Sequence, residues 1–219
     1  KKTTLESYSR PRANGIIALG LREDDRLIRV TLTDGKSQML VASYNGKVVR
    51  FPEDTVRPMG RTASGVRAIK LDEDGKDCVV GMICVEEGSK DTVLVISDKG
   101  YGKRTLLDDE NGEPIYRITN RGGKGVKTMN LTDKTGNLIG LEAVNDEQDL
   151  MLITKSGTAI RMAMTSISTL GRATQGVKLI ELQKRNDTLM FGCVVPKEET
   201  EESTDASEVT TEEMTTIEE

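Results

Sequence analysis

The sequence predicts an all-β fold of repeated four-stranded units. Three observations carry this: a hairpin signature that recurs three times, a glycine-centred basic motif after each hairpin, and an apolar strand broken by glycine that ends each unit. No helical i, i+3, i+4 stripe of three turns runs through the basic part of the chain, which argues against an α/β fold. Aromatic residues make up only 3% with no Trp. The interior must therefore rely on Val, Ile, Leu and Met, and the first two favour strands.

The hairpins are MLVASYNGKVVRF (residues 39–51), VLVISDKGYGKRT (93–105) and LMLITKSGTAIRM (150–162). In each, an apolar run meets what reads as a two-residue turn ending in Gly46, Gly100 or Gly157, where positive φ is cheap, and a second strand follows. Next comes R-x-x-x-G-V-[KR]: RTASGVRAIKL from Arg61, RGGKGVKTMNL from Arg121 and RATQGVKLIEL from Arg172, with a weaker copy, RPRANGIIALGL, from Arg10. The third element is VVGMICV at Val79, LIGLEAV at Leu138 and LMFGCVV at Leu189. The motif glycines Gly15, Gly65, Gly125 and Gly176 are 50, 60 and 51 residues apart, so the unit is about 50 residues long. Four-stranded units at this period point to blades arranged around an axis, as in a propeller. The expected blades span residues 1–38, 39–92, 93–149 and 150–197, together one β domain over 1–197. Residues 1–3 align with Val49, Arg50 and Phe51. The chain is thus expected to open at the end of a hairpin whose other half lies upstream, as a fragment would.

The net charge of -5 averages two regions of opposite sign. Residues 198–219 carry ten acids and no base, leaving 26 acids against 31 bases, a net of +5, in the preceding 197 residues. That tail of Glu, Ser and Thr has too little apolar surface to offset its ordering entropy and is expected to be disordered. It reads either as a solubilising segment or as an internal mimic of a polyanion competing for the basic surface.

Several chemistries are excluded or disfavoured. The chain has no histidine, which removes the commonest general base and metal ligand and any Ser/His or Cys/His triad. Cys78, Cys84 and Cys193 match no zinc spacing and read as buried reduced thiols. The acidic clusters at residues 72–74 and 108–110 sit beside glycine-containing turns, where acids are ordinary. The run Gly122 to Gly125 fits neither a Walker loop nor G-x-G-x-x-G. No apolar run approaches a membrane span, and the first eight residues lack the core of a secretory signal, so a soluble cytoplasmic protein is expected.

What does recur is positive charge. Lys2, Arg50, Arg104 and Arg161 follow the hairpin turns; Arg61, Arg121 and Arg172 open the motif; Arg67, Lys127 and Lys178 close it. Units related by rotation place equivalent residues equivalently, so these form a belt that suits a curving polyanion. The expected contact set adds Arg10 and Arg12 of the weak copy, Lys103 beside Arg104, and Gly122, Gly123, Lys124 and Gly125, where a missing Cβ lets backbone N–H groups approach a phosphate. The plainer reading is that lysines and arginines solvate exposed strands and glycines serve turn geometry. Repetition in register weighs against it for the cations. With few aromatic side chains for stacking, a duplex is favoured over a single strand.

The stretch RGGKGVKTMNLTDKTGNLIGLEAVNDEQDLMLITKSGTAIRM (121–162), the NGKVVRF and KGYGKRT hairpins and GRATQGVKLIEL resemble the C-terminal domain of bacterial DNA gyrase A, a type IIA topoisomerase, over residues 1 to about 196. The acidic tail is similar to those that end many gyrase A proteins. The resemblance implies a β-pinwheel, a propeller-like ring whose neighbouring blades exchange strands, usually of six blades, of which this chain supplies nearly four. It implies a basic rim that bends duplex DNA with positive handedness and presents a segment for strand passage in ATP-dependent negative supercoiling. The cleavage tyrosine belongs to another domain, and ATP and Mg to other parts of an A2B2 assembly with gyrase B and the N-terminal part of gyrase A. This part itself is expected to carry no catalytic residue, metal or cofactor. The family's box, Q-R-R-G-G-K-G, is echoed by Arg121, Gly122, Gly123, Lys124 and Gly125, with Thr119 and Asn120 in place of the leading Gln and Arg. Two alternatives stay open: the related C-terminal domain of topoisomerase IV, and a propeller that binds proteins. If the tail competes for the rim, deleting residues 198–219 strengthens DNA binding at low salt.

Overall fold

The computed structural model describes residues 1–73, 75–182 and 186–197, so the acidic tail lies outside the described residues. Among the described residues, eleven strands form three antiparallel sheets. The first joins β1 (Gln38–Ser43), β2 (Lys47–Pro52), β3 (Val79–Val85) and β6 (Val126–Lys127) in the order β3-β1-β2-β6. The second joins β4 (Thr92–Ser97), β5 (Tyr101–Leu106), β7 (Leu138–Val144) and β10 (Val177–Lys178) in the order β10-β5-β4-β7. The third runs β11-β8-β9, from β8 (Gln148–Thr154), β9 (Ala159–Ala163) and β11 (Leu189–Pro196). Each hairpin is flanked on one side by the glycine-broken strand of its own unit and, in the first two sheets, on the other by a short strand from the next unit's basic motif. The fold is all-β and propeller-like, with strands exchanged between neighbours.

The strands of the first two hairpins bury both faces. Leu40, Ala42 and Val48 point into a cluster shared with Ile83, Val93, Val95 and Leu141, between the first two sheets. Met39, Val41, Val49 and Phe51 pack on the opposite face against Ile69. Leu94 and Ile96 likewise meet Leu150, Leu152, Met164 and Leu189 between the second and third sheets. Side chains alternate between faces along a strand, so a strand apolar on both must read as a continuous apolar run, as MLVA and VLVI do. The glycine in the flanking strand has a packing reason: a Cβ on Gly81 would lie 2.9 Å from the Cβ of Leu141 in the neighbouring sheet.

The cysteines expected in the interior are not buried: Cys78 is exposed, and Cys84 and Cys193 are half-buried. Two further expectations change. The first two hairpin loops have three residues before the second strand resumes and the third has four, not two. Gly46 N bonds Ser43 O (2.9 Å) and Gly100 N bonds Ser97 O (3.0 Å), with Gly46 at φ +74° and Asn45 outside the positive-φ set. This is the turn in which a left-handed residue closes a three-residue loop. Secondly, the expected blade at 1–38 contains no strand before Gln38 among the described residues, only a 3-10 turn at Leu5–Tyr8 and a bridge from Lys2 to Pro58. Residues 27–33, LIRVTLT, stand in the register of β3 and β7, yet Val30 and Leu32 are each 76% exposed. A strand of this type forms where a hairpin strand lies beside it to take its backbone hydrogen bonds, and among the described residues none does.

Candidate nucleic-acid interface

The basic motifs are linked to one another in series, copy to copy. Arg61 Nη1 donates to Ile17 O (2.9 Å), Arg121 Nη1 to Arg67 O (3.4 Å) and Arg172 Nη1 to Lys127 O (2.9 Å). Ile17, Arg67 and Lys127 are the same motif position, the residue that ends G-V-[KR] or its weak copy. A main-chain bond repeats beside each of these: Gly20 N to Ala63 O (3.4 Å), Lys70 N to Gly123 O (2.8 Å) and Asn130 N to Thr174 O (2.9 Å). The arginine that opens one motif is therefore anchored through Nη1 to the motif before it, and Arg121 also donates from Nε to Thr55 O (3.4 Å). Five N–H donors in a planar fork leave the remainder for another acceptor.

The closing residues of the motif face outward. In β6 and β10 the residue pairs Val126–Lys127 and Val177–Lys178 alternate, the valine half-buried and the lysine exposed. Arg67, Lys127 and Lys178 are exposed, and Arg61, Arg121 and Arg172 are half-buried by their anchors. Lys178 pairs with Glu181 (2.6 Å), which partly screens it. Arg10 and Arg12 are exposed in the irregular segment before β1. Lys124 is exposed, and with Arg117, Gly123 and Gly125 it lines a cavity of about 270 Å³ against β2.

The glycines answer mainly to the backbone. Gly125 has φ +71°, and a Cβ there would lie 2.5 Å from Val48 O; at Gly176, φ +78°, it would lie 2.6 Å from Gly102 O. These residues let β6 and β10 dock on the preceding hairpin. Gly122 N is bound to Ala68 O (2.6 Å), so that amide serves the link between motifs rather than a ligand.

Three residues of the expected belt lie in the interior. Arg50 is 6% exposed; it bonds Gln38 Oε1 (2.5 Å), Asp108 Oδ1 (2.9 Å) and the carbonyls of Leu107 and Tyr116. Arg104, 9% exposed, pairs with Asp146 and bonds Ile167 O. Lys103 is 0% exposed. The cause is that the second hairpin strand is no edge. The next unit's chain crosses over it, with Thr119 N bonding Arg50 O and Leu170 N bonding Arg104 O (both 2.8 Å). Burial, with Arg172 nearby, pushes the Lys103 ammonium down to about 8. Lys2 pairs with Glu53 (3.0 Å) and Arg161 with Asp149 (2.8 Å), so these two are committed to neighbours as well. Arg50→Gln is expected to lower stability by about 2 kcal/mol, because Asp108 and the buried Tyr116 carbonyl lose the guanidinium donor while Leu107 O keeps only main-chain partners. Chemical denaturation reads that loss, while the salt dependence of any DNA binding stays at the wild-type slope.

Arg57 and Arg117 escape the sequence reading. Both are exposed and occupy one register, four residues before Arg61 and Arg121. The repeated offset R-x-x-x-R was the available signal.

The family described as "DNA gyrase C-terminal domain, beta-propeller" matches residues 1–34, 38–86, 91–145 and 148–191. DNA gyrase A from Staphylococcus aureus (strain NCTC 8325 / PS 47) is 43% identical over 211 residues, 96% of this chain and 23% of the relative. That of strain MRSA252 is 46% identical over 182 residues, 83% of this chain and 20% of the relative. The chain thus spans about a quarter of the length of these relatives. Among solved structures, the C-terminal domain of DNA topoisomerase IV superposes with a TM-score of 0.78 at 21% identity, covering 89% of this chain and 58% of that one. The DNA gyrase A C-terminal domain gives 0.70 at 24%, covering 83% and 58%. The last two agree in fold, and the match in sequence over almost the whole chain goes further: this chain belongs to the DNA gyrase C-terminal domain, beta-propeller, family.

Proposed function

We propose that this domain binds and bends duplex DNA around its basic rim, presenting a segment for strand passage in gyrase-catalysed, ATP-dependent negative supercoiling. The observation that carries the reading is the series of linked motifs, in which Arg61, Arg121 and Arg172 are each tied to the unit before and a cation, Arg67, Lys127 or Lys178, closes the same three copies. A stripe of cations at regular intervals on a curved β scaffold neutralises successive phosphates, and the counterions released supply the affinity. The contact set is Arg57, Arg61, Arg67, Arg117, Arg121, Lys124, Lys127, Arg172 and Lys178, with Arg10 and Arg12 beside it. Cleavage, ATP hydrolysis with Mg and the partnership with gyrase B belong to the rest of an A2B2 enzyme in the bacterial cytoplasm. Nothing in the chemistry of the rim requires a cofactor.

The topoisomerase IV reading has a specific observation behind it, the higher TM-score of that domain. Identity of 43% to gyrase A over nearly the whole chain favours gyrase. The linking-number change on binding relaxed circular DNA tests the proposal: a shift that grows with protein indicates wrapping, and duplex binding without a shift leaves a basic module that does not wrap. Titration over rising salt separates both from a protein-binding propeller, for which no salt-dependent duplex affinity is expected.

A further inference from the structure

We propose that Lys103 is a positioning residue for two cations of the rim, Arg172 and Lys127, acting through the turn at residues 171–174. The proposal rests on the DNA-binding reading above and adds to it a residue with no exposed surface of its own.

Lys103 lies in β5 opposite Val95 of β4 and is fully buried. Its Nζ donates to Gly171 O (2.6 Å), Arg172 O (2.6 Å) and Thr174 Oγ1 (3.1 Å). An ammonium has three protons, and here all three meet oxygens of one short turn. Gly171 and Thr174 are exposed, so an interior cation is pinning a surface turn from beneath. From that turn the Arg172 guanidinium reaches back to Lys127 O (2.9 Å), in β6 of the preceding sheet. The path runs from β5 through the turn to Arg172, and from Arg172 to Lys127.

The other copies vary in a way that supports the role. Lys1 occupies the register of Lys103, and its Nζ donates to Arg61 O, the counterpart of Arg172 O, and to Ala18 O of the preceding motif. Both of these motifs carry side chains after their arginine, RTAS and RATQ. The copy with RGGK has Val49 at that register and instead carries Lys124 in the turn itself. A lysine lies under the turn where the turn has none, and the turn without a lysine beneath it supplies its own. In the latter, Gly122 N to Ala68 O (2.6 Å) holds the chain.

The test is a double-mutant cycle on duplex affinity with the full chain. Lys103→Met is expected to weaken binding about tenfold at 0.1 M salt, the scale of two phosphate contacts held less well. In an Arg172→Gln, Lys127→Gln background it should weaken binding less than about twofold, since what it positions is gone. An equal loss in both backgrounds means that Lys103 supports the fold generally, and overturns the proposal. Thr174→Val removes one of the three acceptors without burying an unpaired charge. It should cost about two- to threefold in affinity with an unchanged melting temperature, and it keeps the test open if Lys103→Met fails to fold. Amide exchange at Asn130, whose N–H bonds Thr174 O, reads the tether without DNA. Faster exchange in Thr174→Val or Lys103→Met supports it, and unchanged exchange overturns it. If the double glutamine variant binds DNA like wild type, the DNA reading of those two cations fails instead, and exchange alone then judges the tether.

Discussion

Replacing Arg61, Arg121 and Arg172 together by glutamine is expected to lower duplex affinity by about 100-fold or more at low salt, and to flatten the log–log salt plot by about 2 to 3, from roughly 0.9 for each phosphate no longer neutralised. Each arginine holds the preceding motif through a carbonyl, at Ile17, Arg67 and Lys127. The substitution therefore removes three charges and three links at once. Arginine to lysine at the same positions separates the two effects, because lysine keeps the charge but lacks the planar fork. The lysine variant should keep most of the salt slope while losing affinity and some of the linking-number shift, since the stripe is charged but less firmly spaced. Losses should be alike across DNA sequences, as contacts to the phosphate backbone carry no sequence information. A loss confined to one sequence would replace backbone contact with base readout.

The repeat and the all-β class were legible because they are local. A continuous apolar run, a glycine turn and a second strand lie within thirteen residues, and the period of the motifs sets the unit. Which strands share a sheet is not local. Nothing in residues 121–127 states that Val126 pairs with Val48, in the hairpin of the preceding unit. The same gap explains the interior cations. Arg50, Lys103 and Arg104 look like exposed strand residues until residues 118–119 and 168–170 are laid over them, and that crossing depends on the strand exchange. Arg61, Arg121 and Arg172 stand out in the sequence because their spacing from the motif glycine is fixed at four residues, whereas the link each makes is to a residue 44 to 54 positions earlier. Spacing within a motif is visible in one sequence; the partner across a repeat is not.

Gly125→Ala is expected to cost about 3 kcal/mol, of which roughly 1 is backbone strain at positive φ and the rest the forced separation of two strands. At φ +71° the new methyl would stand 2.5 Å from Val48 O, with Val48 C and Val49 N close behind at 2.8 and 3.2 Å. These are backbone atoms of β2, held in register with β1 and facing Val126, so no flexible side chain can yield. Gly157→Ala is the control. It has φ +87° with nothing within 4 Å of its Cβ, so only the strain remains, about 1 kcal/mol. For a chain of this size the two should differ in melting temperature by roughly 4–8 °C, at about 2–4 °C per kcal/mol. Gly125→Ala also moves Lys127, which β6 presents and to which Arg172 is anchored, so duplex affinity should fall along with stability, while Gly157→Ala leaves affinity as it was. Equal destabilisation by the two alanines would mean that close docking of the motif on the preceding hairpin does not set the geometry of the rim. Loss of stability at Gly125 without loss of affinity would separate that docking from the placement of Lys127.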